Sequence, residues 1–416
     1  MKQNYFKLSG PLFFAVLMSV VSFNTSCKSK AANEETVTGT DHTLAIPALF
    51  ERKGELAKAA EWEKTKEKAA ALNLKIAKNA NDIKSRLQIA VIYISEARTT
   101  GEHPYYYPAV NKILDGVLAL DDKNFEALVY KASVKMSQHH FAEAKQLAEK
   151  AKVINPDNAY VYGVLVDANV ELGNYDEAVK MSDKMQALKP SLESYSRVSY
   201  LREIYGDYPG AIEAMKMAVQ AGLPGSEPHC WSKKTLGHLY EKTGKWNKAK
   251  EQYEDILSIR PSYAFALEGL ARVERAAKNY TKALDLLQQA SDIMPEFSFY
   301  EEMAGIYDLL GEKQKAKDKY AEVISMLKED EVSGHSVSLE LCRVYTKAGM
   351  MAEALEQAMK EYSQRPNNID VNLALAWANF RNNDITKARQ YIKGARKTGS
   401  KDPDLLQKAA AINKAG

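Results

Sequence analysis

The sequence predicts an all-α fold, a superhelical solenoid built from repeated pairs of antiparallel helices. First, prolines recur with a fixed period: Pro156 and Pro190 are 34 residues apart, as are Pro261 and Pro295. Second, a short turn motif such as YEKTGKWNKA (240–249) returns along the chain and ends on an alanine. Third, the sequence from about residue 45 onward has the composition of helices, with few turn residues between the repeated motifs. A period of this length, built from helix pairs, predicts units that stack on their neighbours.

The recurring motif is interpreted as the turn between the two helices of a unit. The first helix must end there, and glycine adopts the left-handed conformation that closes a helix without steric cost. The turn glycines are Gly173, Gly206, Gly244, Gly311 and Gly349. Lys278 and Asn383 occupy the same position in two other units, where asparagine is a fair substitute and lysine is strained.

Small residues are expected where the two helices of a unit cross. Five positions after each turn residue the chain has Ala178, Ala211, Ala249, Ala283, Ala316, Ala354 and Ala388. Midway through the first helices it has Ala132, Gly237, Ala271, Ala304 and Ala376. The prolines should follow the second helices, since proline cannot continue a helix.

With these motifs the chain resembles the tetratricopeptide-repeat family over roughly 320 of its 416 residues. Nine units begin near residues 83, 125, 159, 192, 230, 264, 297, 335 and 369. The predicted organisation is a helical cap at 45–82, a repeat array at 83–400 and a capping helix at 401–416. The first unit is expected to be irregular, with extra residues between its helices at RTTGEHPYYYPA (98–109). The resemblance implies a right-handed superhelix whose inner groove is lined mainly by the first helix of each unit.

The N-terminus resembles a bacterial lipoprotein signal. Lys2 and Lys7 precede an apolar run at 11–23, which is short for a membrane-spanning helix. The run is followed by NTSC, so residues 1–26 are predicted as a signal peptide, Cys27 as the lipidation site and 27–44 as a flexible tether. The resemblance implies a protein that is lipid-anchored in the bacterial cell envelope, and Lys28 after the cysteine favours the outer membrane. The alternative is cleavage near Ser22, which would leave Cys27 as a plain thiol.

Composition and motifs argue against several classes of function. A net charge of +3 in a chain with 27% charged residues does not suggest a polyanion-binding surface, so no nucleic acid partner is expected. We found no nucleotide-binding loop and no nucleophile motif, and we predict neither enzymatic activity nor a cofactor. His139 and His140 lie at a repeat turn, where they are expected to be solvent-exposed rather than metal ligands. Cys342 is expected to be a small core residue, too far from Cys230 for a disulfide.

Candidate binding residues lie off the packing stripe of the first helices. Trp231, Lys234 and His238 have the spacing i, i+3, i+7 and share one face. The neighbouring units place Tyr200, Phe265 and Arg272 on the corresponding face, and Arg343 and Trp377 occupy equivalent places farther along. These aromatic and cationic side chains predict a groove for an extended, partly acidic peptide. The alternative, that they are ordinary solvated or half-packed helix residues, stays open.

The leading hypothesis is a non-enzymatic, envelope-anchored scaffold that binds a protein or peptide partner in its concave groove. The alternative is a lipoprotein that captures glycans or nutrients, because SusD-like lipoproteins also carry such repeats. That family adds large non-repeat segments around a few units, whereas this chain is repetitive throughout. The tyrosines at 105–107 could stack on sugar rings, although tyrosines also fill helix interfaces.

Overall fold

The computed structural model describes residues 46–52, 54–58 and 60–415, and all regular secondary structure within these ranges is helical. The signal segment, Cys27 and the tether lie outside them. The helices are α1 Gly54–Ala57, α2 Ala60–Lys78, α3 Ile83–Thr100, α4 His103–Leu120, α5 Phe125–Ser137, α6 Phe141–Ile154, α7 Ala159–Glu171, α8 Tyr175–Leu188, α9 Leu192–Ile204, α10 Tyr208–Ala221, α11 Glu227–Lys242, α12 Trp246–Ile259, α13 Ala264–Ala276, α14 Tyr280–Ile293, α15 Phe297–Leu310, α16 Lys313–Val332, α17 Ser338–Ala348, α18 Met351–Gln364, α19 Ile369–Arg381, α20 Ile385–Ala395 and α21 Pro403–Lys414.

The helices pair and stack in chain order, which confirms the all-α repeat fold. Each unit consists of an odd-numbered helix from α3 to α19, here called the A helix, and the even-numbered B helix that follows it. Each A helix packs against its own B helix, and each B helix packs against the A helix of the next unit. The A helices begin within three residues of the predicted unit starts, and the largest differences are at Glu227 and Ser338. The cores are a series of clusters shared between neighbouring units.

The turn between the two helices has the predicted left-handed residue. The five turn glycines have φ between 71° and 82°. Lys278 and Asn383 adopt the same conformation with φ of 65° and 61°. In the second unit His139 occupies this position with φ of 60°, which the glycine pattern did not reveal.

Small residues allow the helices of a unit to cross closely, as predicted. The seven alanines that follow the turns are at most 2% exposed. A Cβ atom at Gly237 would lie 2.6 Å from the ring of Tyr253, and one at Gly269 would lie 2.5 Å from it. The prolines at 156, 190, 261, 295 and 366 each follow the end of a B helix by two residues. Local sequence therefore sets both the length of the helices and their separation.

The first unit differs from its prediction. Only Gly101 and Glu102 separate α3 from α4, and the extra residues lengthen both helices to 18 residues instead of forming an insertion. Tyr106 and Tyr107 are fully buried in the core between α3 and α4, and the hydroxyl of Tyr105 donates to the carbonyl of Ala48. These tyrosines are therefore packing residues, and the proposed sugar-stacking surface is wrong for Tyr106 and Tyr107.

Helices cap the array at both ends. At the N-terminal end α2 packs against α3, and Arg52 makes a bidentate ion pair with the buried Glu96, with N–O distances of 2.9 and 2.7 Å. At the C-terminal end α21 buries Leu405, Ala409 and Ile412 against the last unit. In the described ranges, no helix combines the length and the apolar character needed to span a membrane.

The turns of the early units also contact the loops of much later units. The backbone N–H of Ser336 donates to Gln138, and rings of His139 and His140 lie 3.0 and 2.8 Å from the carbonyls of Ser336 and Gly334. We call the row of contacts that starts here the seam. The two histidines are thus engaged in tertiary contacts while they stay partly accessible, 37% for the side chain of His139, so the expectation that they would be solvent-exposed holds only in part.

The seam continues through the third and fourth units. Asn368 donates to the carbonyl of Glu171 at 3.0 Å, and the N–H of Ile369 donates to the hydroxyl of Tyr175 at 2.9 Å. A Cβ at Gly206 would lie 2.9 Å from the carbonyl oxygen of Gly399. The hydrogen-bonded partners in the second and third units are 194 to 198 residues apart in the chain. The superhelix therefore completes a turn in just under six units, and its successive turns contact each other edge to edge.

Candidate functional site

A cavity of about 580 Å³ lies on the concave side of the superhelix. Its walls come from the A helices α7, α9 and α11 of one superhelical turn and from α15, α17, α19 and α21 of the next. The seam runs along one side of this cavity, because Tyr175, Asn368 and Ile369 belong to both. The seam therefore borders the concave surface on this side.

Aromatic and apolar groups form part of the cavity wall. Tyr200 projects from α9 with 39% of its surface accessible. Trp377 projects from α19, where it stacks on Phe380 with ring centroids 5.0 Å apart. Val170, Ile204, Leu373 and Leu405 are among the apolar side chains of the lining. Half-accessible aromatic rings in a concave surface provide anchor area for a bound chain.

Paired charges form the rest of the wall. Lys242 bridges Glu203 and Asp402, with N–O distances of 2.6 and 2.8 Å, and so links α9 and α11 to the start of α21. The other two lysines pair with carboxylates: Lys347 with Glu301 at 3.0 Å, and Lys408 with Asp404 at 2.6 Å.

Arg343 is the most weakly paired cation of the cavity wall. Its Nη2 is 4.0 Å from Oδ1 of Asp370, the longest of these ion-pair distances, and 46% of its side chain is accessible. The cost of separating this pair is small, because both groups keep contact with water. The two side chains are thus the charges on the cavity wall that a ligand can engage most readily.

A second group of charges lies between α11 and α13. Arg272 donates from Nε to Oε2 of Glu241 at 2.9 Å, and its Nη1 lies 3.1 Å from Glu268. His238 lies 3.4 Å from Glu241, and the ammonium of Lys234 lies 5.7 Å from the ring centre of Phe265. In this arrangement, called here the α11–α13 cluster, the cations pair with carboxylates of the protein itself.

Burial and neighbouring charges shift the pKa values of groups in and beside this cluster in different directions. Burial alone would raise the pKa of Glu241, but the hydrogen bond with His238 and the charge of Arg272 lower it to about 2. Burial lowers the pKa of Lys234. For Glu296, burial and the neighbouring charge of Glu268 raise the pKa to about 7. Glu241 is therefore a firmly ionised structural group, whereas Glu296 titrates close to neutral pH.

A family profile described as "Tetratricopeptide repeat" matches residues 234–295, the part of the chain that contains the α11–α13 cluster. The structure of a human IFIT1 dimer with m7Gppp-AAAA superposes with a TM-score of 0.52 at 14% identity, covering 83% of this chain and 79% of IFIT1. This likeness is one of fold.

The fold is that of a tetratricopeptide-type helical solenoid, and the repeat profile itself matches residues 234–295.

The curated relatives of this chain are distant. It is 25% identical to the TPR repeat-containing protein YpiA of Bacillus subtilis over 219 residues, which are 52% of this chain and 49% of YpiA. It is also 25% identical to the human mitochondrial import receptor subunit TOM70 over 268 residues, which are 61% of this chain and 42% of TOM70. The chain thus spans half or less of the length of these relatives.

The six predicted groove residues of this repeat protein fall into three places. Tyr200 lines the cavity, as do Arg343 and Trp377. The four residues of the α11–α13 cluster that sequence analysis selected are Lys234, His238, Phe265 and Arg272. Trp231 is 44% exposed and does not line the cavity. Their role in binding stays a prediction, and Arg272 already has its charge matched by two carboxylates.

Sequence analysis missed the residues that close the cavity. Lys242 and Asp402 are far apart in the chain, and Glu301 and Lys347 belong to different units. The repeat register could have identified Lys242, because it follows His238 by one helical turn on the same A helix. Asp402 precedes the capping helix and has no equivalent in the repeats, so no periodic signal points to it.

Proposed function

We propose that this protein is a non-enzymatic scaffold that binds an extended segment of a protein partner in the cavity on its concave side. The observation that carries the proposal is the cavity itself, where accessible aromatic rings lie beside charges of both signs. Such a wall can anchor apolar side chains and orient polar ones. The similarity to human TOM70, an import receptor subunit by name, also favours a protein ligand.

The charge of the cavity wall disfavours a nucleic acid ligand. Human IFIT1 was solved with m7Gppp-AAAA. The cavity wall of the present protein contains five carboxylates and four cations. The carboxylates are Glu203, Glu301, Asp370, Asp402 and Asp404, and the cations are Lys242, Arg343, Lys347 and Lys408. A polyanion requires uncompensated cations, because its affinity comes mainly from neutralised phosphates. A peptide with both acidic and basic side chains fits this wall better.

We test partner binding by reversing two cavity charges. The chain from residue 45 onward is used to capture envelope proteins, and the captured partner is then purified and titrated. We expect Arg343→Glu with Lys347→Glu to weaken its affinity roughly tenfold or more, because both cations lie on the cavity wall. Unchanged helicity and melting would show that the fold is intact.

A matched control makes the same charge change on B helices. Lys180 and Lys216 are accessible and pair with carboxylates three residues earlier on α8 and α10. Lys180→Glu with Lys216→Glu should leave partner affinity unchanged. Equal losses in both double variants would mean that net charge, and not the cavity, determines binding, and the proposed site would be wrong.

The cellular location is part of the same proposal. We propose that acylation of Cys27 holds the protein on a membrane of the cell envelope, with the outer membrane favoured by Lys28. Several acyl chains give stable anchoring, at about 0.8 kcal/mol per buried methylene. Cells that carry Cys27→Ala should release the protein into the soluble fraction. Equal fractionation of wild type and variant would contradict the anchor.

A further inference from the structure

The seam and the cavity share residues, so separation of the seam would widen access to the cavity. Tyr175, Asn368 and Ile369 belong to the seam and also line the cavity. The Lys242–Asp402 ion pair bridges two successive superhelical turns at the cavity wall. Separation of these contacts would open the cavity sideways along its length.

The contacts that hold the seam differ in kind from those that hold the stack. The buried members of each hydrophobic cluster come from neighbouring units. The seam consists mainly of hydrogen bonds to loop carbonyls, ion pairs and cation–π contacts, with Ile369 as an apolar contact to the cluster of the third and fourth units. The latter include Arg365 over Phe141, 4.6 Å from the ring centre, and Lys397 over Tyr175 at 5.0 Å. Polar groups regain water when such contacts separate, so the seam can open while the stack persists.

Glycines at the seam have a second role beyond helix termination. A Cβ at Gly173 would lie 2.3 Å from the backbone carbonyl of Asn367, whereas no atom lies within 4 Å of a Cβ placed at Gly244. Both glycines have nearly the same backbone conformation, with φ of 76° and 71°. The loop at Gly173 therefore packs against the opposing superhelical turn, whereas the loop at Gly244 has no such neighbour.

From this geometry we propose that the seam is a lateral gate, which opens to admit an extended protein segment into the cavity and closes around it. Solenoid units rotate slightly against each other, so small changes summed over five to six units separate the two edges. The gate rests on the proposed function for its purpose, but its opening is a property of the protein alone. It can therefore be tested without a partner.

The test measures access to a thiol placed on the cavity wall. Tyr200→Cys is introduced into a chain that also carries Cys27→Ser, while Cys230 and Cys342 are buried. The probes are N-ethylmaleimide and a maleimide attached to a polyethylene glycol chain whose coil is larger than the cavity. Peptide mapping gives the fraction of position 200 that is labelled.

A disulfide locks the gate. The N–H of Ser336 donates to the carbonyl of Gln138 at 2.9 Å, so the two backbones are close enough for Gln138→Cys and Ser336→Cys to form a disulfide. We expect the oxidised lock to slow labelling by the polymer roughly tenfold or more, because that labelling follows the open fraction. Labelling by N-ethylmaleimide should change little. Equal polymer labelling of locked and unlocked chains would overturn the gate, since entry would then occur elsewhere.

Two glycine variants test whether a weakened seam increases access to the cavity. Gly173→Ala should speed polymer labelling relative to Gly244→Ala, since both add the same backbone strain and only the former collides with the opposing turn. Equal rates in the two variants would contradict the gate. The lock decides the question if Gly173→Ala fails to fold. A working gate combined with unchanged affinity in the Arg343→Glu, Lys347→Glu chain would reject the proposed site and leave the gate standing.

Discussion

Glu241 shows how a repeat fold builds a specific polar site from ordinary helix residues. Tyr253 on α12 donates its hydroxyl to Glu241, and Arg272 on α13 donates from the other side. Gly237 and Gly269 leave the space that the ring of Tyr253 occupies. Two glycines in helix interiors are unfavourable by themselves, and here they allow a buried carboxylate to be fully paired.

The first prediction concerns Arg272. Arg272→Met should lower the free energy of unfolding by about 3 to 5 kcal/mol, because it leaves Glu241 and Glu268 buried without their cation. Urea unfolding followed by circular dichroism measures the change. Charge reversal at Arg272 would be more disruptive still, so this residue is unsuitable as a simple probe of ligand binding.

Arg343 provides the matched control. It occupies the same kind of position on an A helix, but it is half-accessible and lies 4.0 Å from its carboxylate partner. Arg343→Met should change stability by about 1 kcal/mol or less. Similar losses for both variants would mean that the α11–α13 cluster is no more stabilising than a surface ion pair.

At the scale of the helix pair, the alanine after each turn determines how closely the two helices approach. Ala249 is fully buried where α12 crosses α11, while the adjacent Lys248 is exposed. The second prediction is that Ala249→Glu costs about 4 kcal/mol or more through overpacking and burial of a charge. Lys248→Glu should cost about 1 kcal/mol or less in the same urea experiment. A tolerated glutamate at position 249 would contradict the close crossing.

The contact between α4 and the loop before α17 predicts a pH dependence. Burial lowers the pKa of His103 and of His335 to about 4, and their rings lie 6.3 Å apart. Burial also raises the pKa of Asp330 to about 6. The charged and titratable groups around this pair are Arg98, Tyr107, His139, His140, Asp330 and Glu340.

The third prediction is that the closed seam loses stability as the pH falls from about 6.5 toward 4. In this window an opened or unfolded form protonates both histidines, while the closed form keeps His103 and His335 neutral. Below about pH 6 Asp330 takes up a proton in the closed form, and this proton offsets one of the two that the histidines bind in the opened form. Polymer labelling of position 200 should report the loss, because it follows the opening of the seam. Melting temperature is not used as the measurement, because the raised pKa of Glu296, about 7, stabilises the folded chain over the same pH window. His335→Gln should weaken this dependence, and an identical pH profile in that variant would contradict it.

At the scale of the whole molecule, the seam adds contacts that a simple stack of repeats lacks. A solenoid is held by neighbours alone, so its stability is roughly a sum over units and interfaces. Here the turns of the early units also contact loops from Met294 to Lys401. Unfolding of the two halves should therefore be coupled, more strongly than stacking alone would require.

The fourth prediction uses a fragment. Residues 45–262 contain five complete units and should fold alone as a helical array, because all units except the last retain both neighbours. In the fragment, Gly173→Ala should cost only the strain of the left-handed backbone, about 1 to 2 kcal/mol. In the full chain it should cost more, since the seam is also disrupted. Equal costs in the two chains, measured by urea unfolding, would show that the seam adds no stability.

Periodic sequence was sufficient to predict the helix pairs and their turns. The glycine and alanine positions and the prolines act on residues within one or two helices, so a local pattern contains the whole cause. The same register placed Tyr200, Arg343 and Trp377 on the concave face. It could not identify the pairing of Arg272 with Glu241 and Glu268, because an i, i+4 neighbour and a carboxylate one unit earlier appear in sequence as ordinary surface charges.

By itself, the sequence determined that this chain forms stacked helix pairs, because each unit buries its apolar stripe against the next one. Only the tertiary structure decided that the superhelix closes on itself along the seam. That closure depends on a small rotation per unit summed over five to six units, and no single motif encodes the sum. The contact of Gly173 with Asn367 and the ion pair of Lys242 with Asp402 arise from it, and so does the cavity between the two superhelical turns. Residues about 195 positions apart meet because the rotations add up, not because their local sequences match.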